Sequence, residues 1–118
     1  MLKPIIDLPA GVVGLRANGV VIAQDLSQAL LLVKATPDRD GSIGFILIVD
    51  PDLDGYLAEI VSELGKESEA EPAFFQRWAL VVPDDVISEA EQYRSADKLR
   101  IFSQSHSGDA LAWVSAKR

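Results

Sequence analysis

The chain reads as a single α/β domain, a mixed and mostly parallel sheet with helices packed on it in the order β-β-α-β-α-β-α-β-α. Three observations predict this. Strand-like and helix-like apolar patterns alternate to the end of the 118 residues, with no internal repeat and no low-complexity linker. The run Ile43–Val49 is apolar on both faces, as a central strand covered by helices on each side must be. A Pro9-Ala-Gly11 break separates two short apolar runs at the start, which reads as a hairpin feeding right-handed βαβ crossovers. At 48% hydrophobic, the chain has material for one real core and one domain over residues 1–118.

The elements follow in order. Lys3–Leu8 and Val12–Ala17 are the hairpin strands, and Asn18-Gly19 turns the chain towards the apolar patch Val20–Ala23. Asp25 is a good N-cap for a helix to about Lys34, with Leu26, Ala29, Leu30 and Val33 on one face and Leu31 and Leu32 widening it. After Ile43–Val49, Gly55 to about Glu69 forms the best-defined amphipathic helix. Its inner stripe is Tyr56, Leu57, Ile60, Val61 and Leu64; its wet face is Glu59, Ser62, Glu63, Lys66 and Glu67. Gly65 weakens its last turns by about 1 kcal/mol relative to Ala. Trp78–Val82 is the next strand. Pro83-Asp84-Asp85 caps a third helix with Val86, Ile87, Ala90 and Tyr93 inward. Leu99–Phe102 is the last strand, and Ser107 caps a final helix with Ala110, Leu111, Trp113 and Val114 inward, where Lys117 and Arg118 suit the negative dipole end.

Charge is unevenly placed. Asp50 to Glu71 holds eight acids against one base, Lys66, and so carries the whole net charge of −7; the remaining ten acids and ten bases cancel. A pI near 4.5 argues against nucleic acid and against attraction to anionic lipid, since both need a basic face. With no cysteine there is no disulfide framework, thiol chemistry or Cys-ligated zinc, which fits a reducing, cytoplasmic setting. The first residues lack the apolar core of a signal peptide, and no apolar run approaches the ~20 residues that span a bilayer.

Several stretches resemble the small SpoIIAA-like proteins. They are Ile5-Ile-Asp-Leu-Pro-Ala-Gly-Val-Val-Gly14 with Ala17-Asn-Gly19, Trp78-Ala-Leu-Val-Val-Pro-Asp84, and Leu99-Arg-Ile-Phe102 with Asp109-Ala-Leu-Ala-Trp113. The resemblance spans essentially the full chain and implies the STAS fold of anti-sigma-factor antagonists, a fold also grouped with lipid-transfer domains. It further implies a small nonpolar ligand held under helices, a bacterial source, peripheral membrane association and a homodimer as expectations. Regulatory STAS domains carry a phosphorylatable serine in an Asp-Ser-Ser-Gly-like turn after the third strand. The corresponding turn here is Asp52-Leu-Asp54-Gly55, without a hydroxyl, so kinase control does not carry over.

Other chemistries are weighed on the residues. Asp50, Asp52, Asp54 and Gly55 match the opening of an EF-hand loop, but the position that needs a bidentate Glu is Val61, and a strand precedes the loop. The acids at Asp52 and Asp54 read better as acceptors for the free N–H groups at the helix start. Phosphoaspartyl chemistry at Asp50, of the dehalogenase or receiver kind, lacks its partner groups: Asp7 is the one acid near the first strand, and Lys98 precedes the last strand instead of following it. His106, the only histidine, lies among serines without an orienting acid or a Gly-x-Ser-x-Gly elbow, and reads as a solvated loop residue. Phe74, Phe75 and Trp78 read first as core and second as a nonpolar pocket.

The expectation is therefore a non-enzymatic binding module with no cofactor and no metal. A small nonpolar molecule would sit between the sheet and the helices starting near Tyr56 and Val86, against Tyr56, Leu57, Ile60, Phe74, Phe75 and Trp78. The alternative is a protein partner docking on Asp52, Asp54, Glu59, Glu63 and Glu67, and phosphoaspartyl chemistry ranks last.

Overall fold

The Pro9–Gly11 break favours a turn, because Pro9 fixes its own φ and Gly11 tolerates a positive one. Gly11 takes φ 84°, a region that a Cβ disfavours, and the Val12 N–H donates to the Pro9 carbonyl at 3.1 Å. This lays β1 (Leu2–Pro4) antiparallel on β2 (Val12–Ala17), with Lys3 opposite Arg16. β1 is shorter than the expected Lys3–Leu8, and Pro4, which cannot donate to a ladder, stands in an edge strand where that does no harm. The computed structural model describes residues 2–5, 8–9, 11–35, 44–51, 57–69, 75–93 and 98–115, with backbone alone at 23 and 32–35.

Five strands form one sheet in the order β1-β2-β3-β4-β5, where β3 is Gly44–Val49, β4 Arg77–Val82 and β5 Leu99–Ser103. From β2 onward every pairing is parallel, so the predicted α/β class and mixed sheet stand. Because consecutive strands are neighbours, crossovers of one hand place the intervening helices on one face. These are α1 (Ala23–Ala35), α2 (Leu57–Ser68) and α3 (Ile87–Tyr93). α4 (Ser107–Ser115), which follows β5, instead crosses the opposite face over β3 and β4.

Alternation along the strands then divides the core in two. Phe45, Leu47, Val49, Trp78, Leu80 and Val82 point to α1, α2 and α3, joined by Leu26, Leu30, Ile60, Val61, Leu64 and Ala90. Ile46, Ala79 and Val81 point the other way, to Ala110 and Val114 of α4. α4 approaches β3 so closely that a Cβ on Gly44 would collide with the Val114 side chain and lie 2.5 Å from its carbonyl oxygen. Among the described residues no helix is long and apolar enough to cross a membrane.

Four local expectations are corrected. Helix α1 begins at Ala23, two residues before Asp25; that carboxylate sits in the first turn and accepts the Ile22 N–H at 3.2 Å, the reaching-back half of a capping box. Leu31 is 65% exposed, because it lies a full 100° around the helix from Leu30 and off the buried Leu26–Leu30 stripe. Asp84 and Asp85 open a 3-10 turn, Asp84–Val86, with no side-chain cap; the Asp84 Oδ1 instead accepts the Ser105 N–H at 3.0 Å, tying this turn to the one after β5. Ser107 is already helical, since a 3-10 turn over Gln104–His106 precedes α4 and moves the chain's entry point back to Ser103.

Candidate functional site

The parallel strands β3 and β4 end side by side, and their exits climb to α2 and α3 on the same face. Between those two helices, over the strand ends, lies a cleft of about 290 Å³. Val49, Pro51, Leu57, Pro83 and Val86 give it an apolar lining, and Ala58 adds a small wall. Asp50, Glu59, Asp85 and Glu89 bring carboxylates to it with Tyr93 beside them, and among the described residues no lysine or arginine lines it. This is the carboxyl end of the strands, where α/β sheets place ligands.

Asp50 is the best-anchored of the acids. Its N–H donates to the Ala17 carbonyl at 2.8 Å, and its Oδ1 lies 2.6 Å from Arg16 Nη1, a pair at 22% and 45% side-chain exposure. No lysine stands within ion-pair distance of it among the described residues. Across the cleft the Tyr93 hydroxyl donates to Glu89 Oε2 at 3.2 Å. That bond and the Glu89 charge hold the phenol above its usual value of 10.0, with smaller contributions from burial and from Glu59 on α2. Glu59 and Tyr93 therefore sense one another over the opening, and Tyr93, expected inward, is 38% exposed at its edge.

Of the six residues expected to line a ligand site, Leu57 lies in the cleft. Ile60, Phe75 and Trp78 are fully buried beneath it. Phe45, which the ligand-site reading did not include, completes an aromatic cluster with Phe75 and Trp78, whose ring centroids are 5.3–5.6 Å apart. The Phe75–Trp78 pair is edge-on at 84°, the geometry aromatic quadrupoles favour. Tyr56 and Phe74 lie outside the described residues, as do Asp52 and Asp54. The acids of α2 are divided: Glu59 is exposed, while Glu63 and Glu67 are half-buried. Glu59 and Glu63 flank a shallow groove of about 260 Å³ on the outside of α2, with Ala58, Ser62 and Lys66. Groove and cleft share Ala58 and Glu59, so the two are continuous.

The sequence places the ligand between the helices that start near Tyr56 and Val86, and Val86 does line the cleft, but the acids and the tyrosine of the α3 wall are not among its candidate residues. Their signal was present as Asp85, Glu89 and Tyr93, spaced by four along one helical side. Val61 is 1% exposed in the core, as its place in the inner stripe required, and gives no calcium ligand. His106 is exposed, with Nδ1 2.8 Å from Ser103 Oγ and 3.2 Å from Ser105 Oγ. Among the described residues no three His, Cys, Asp or Glu side chains are placed to hold a metal ion. No family model matches this chain, and no curated protein matches it.

Proposed function

We propose that the protein is a non-enzymatic binding module of the SpoIIAA-like, STAS type that holds a small ligand in the cleft between α2 and α3. The observation that carries this is the cleft itself, open at the strand exits and lined by both apolar side chains and carboxylates. Its volume lies at the lower end of the ~300–1,000 Å³ common for small-molecule sites. The expected core pocket is moved outward on this reading, because Ile60, Phe75 and Trp78 fill the space beneath the helices. The lining acids disfavour a fatty acid, whose carboxylate they would repel, and favour an apolar body with a cationic or uncharged head.

Thermal unfolding with octylamine, octanol and octanoate tests this. The amine and the alcohol should raise Tm and the carboxylate should not. Val86→Trp, which fills the cleft from its α3 side, should abolish the shift. An unchanged Tm with all three compounds would sink the reading. Native mass spectrometry of freshly purified protein would reveal a retained ligand directly.

A second reading rests on the continuity of cleft and groove. A basic protein segment would lie along Glu59 and Glu63 and place an apolar or cationic side chain in the cleft. Such binding weakens with salt and on Glu59→Lys with Glu63→Lys; an affinity unchanged by both removes it. Both readings fit a cytoplasmic protein.

A further inference from the structure

The opposite face of the sheet carries a different chemistry. Trp113 of α4 lies under two guanidinium groups: the Arg77 carbon is 5.4 Å and the Arg100 carbon 5.2 Å from the indole centre. Arg100 also stands 5.5 Å over Phe102, whose ring is 6.0 Å from that of Trp113. Both arginines lie on the α4 face because they alternate with Trp78, Leu99 and Ile101, which point into the other core. Their tasks differ. Arg77 Nη1 donates to the Trp113 carbonyl at 2.7 Å and so secures the last turn of α4.

Arg100 is exposed, and among the described residues its guanidinium makes no ion pair and no hydrogen bond. Its position is nevertheless fixed by two aromatic faces. Asp109, one turn before Trp113 and also exposed, forms no ion pair with it. A guanidinium held over two rings, exposed and without an acid of its own among the described residues, is set for a carboxylate from outside. Lys98, exposed just before β5, adds charge of the same sign, and Lys117 and Arg118 follow α4 in the sequence.

We infer that the Arg100–Trp113 surface docks an acidic segment of a protein partner, with a partner carboxylate on the Arg100 fork and an apolar flank against Trp113 and Phe102. Arginine and tryptophan are the residues that most often carry interface energy, and stacking reduces the entropy Arg100 would lose on binding. A protein segment is favoured over nucleic acid or an anionic bilayer. Such a segment can pair one carboxylate, which matches the planar fork, with an apolar side chain for the aromatic rings, and neither of the other two offers that pairing.

The test is a titration of the full chain with decaglutamate, following the Trp113 indole and Arg100 guanidinium N–H signals by NMR. Saturable shifts at both groups, lost at high salt and weakened at least five-fold by Arg100→Ala, are expected. Arg100→Lys, which keeps the charge but not the planar fork, should recover part of the affinity. No shift, or an equal shift in Arg100→Ala, overturns the inference. So does tighter binding of decathymidylate or phosphatidylserine vesicles than of decaglutamate. Sedimentation showing that Arg100 instead mediates self-association would replace the acidic partner by a second copy.

Discussion

The same strands build two unlike faces. On one side three helices cover a core with an aromatic cluster at its centre, and the cleft above is rimmed by carboxylates. On the other a single helix covers a smaller core, and its edge is closed by an arginine–tryptophan stack. Odd and even positions of β4 illustrate the division: Trp78, Leu80 and Val82 serve the first face, Arg77, Ala79 and Val81 the second. Burial is thus concentrated where helices are many, while the thinner face can keep ionised side chains at its margin. Stability and recognition in this fold separate by face and by end.

The largest effect expected is on the aromatic cluster. Trp78→Ala should lower unfolding free energy by about 3–5 kcal/mol, because it empties a fully buried site. Trp113→Ala should cost about 2 kcal/mol, since that ring is half-buried and loses chiefly cation–π contacts and partial burial. Urea denaturation of both variants checks the contrast; equal losses would mean that the faces contribute alike. Trp78→Phe sharpens it further. The Trp78 Nε1 is buried with no hydrogen-bond partner among the described residues, so Phe removes an unsatisfied donor along with volume. It should cost no more than about 2 kcal/mol.

A smaller effect is expected where the thin face is most tightly joined. Gly44→Ala places a methyl against the side chain and carbonyl of Val114, so α4 must move outward from β3. Overpacking of this kind costs about 1–3 kcal/mol. Val114→Ala in the same chain should relieve only part of it, because the carbonyl remains in the way. Full rescue by the double variant would show that α4 is positioned by side-chain packing alone. The readout is the midpoint of chemical unfolding for the two single variants and the double.

Much of this was legible in the sequence, for physical reasons that differ by element. Ile43–Val49 announced a central strand because only a strand covered on both sides tolerates seven residues with no polar side chain. The inner stripe of α2 was readable from its period, and Ile60, Val61 and Leu64 are all buried. Leu31 is not legible in this way, because hydrophobicity says nothing of angular position once a run of leucines covers most of a helix. The cleft was only half visible. The helix starts near Tyr56 and Val86 mark its two sides, whereas Glu89 and Tyr93 gain meaning only when β3 and β4 are known to be neighbours. Arg100 and Trp113 are thirteen positions apart, and no local pattern joins an edge strand to a helix returning beneath it.

The smallest effect tests whether the two walls of the cleft truly face each other. Tyr93 is held protonated above its usual range, first by its bond to Glu89 and then by the charges of Glu89 and, from α2, Glu59. A phenol whose folded pKa is raised binds its proton more tightly in the folded state. Its contribution to stability is complete below the unfolded value of ~10 and fades as pH rises through the higher folded one. Ultraviolet titration of phenolate formation should show Glu89→Gln lowering the Tyr93 pKa markedly and Glu59→Gln lowering it less, with Tyr93→Phe identifying the late step. An unchanged Tyr93 in Glu59→Gln would mean that α2 and α3 stand too far apart to share one ligand. The rim acids would then be Asp50, Asp85 and Glu89 without Glu59, and the contrast between the faces would rest on packing without a cleft shared by the two helices.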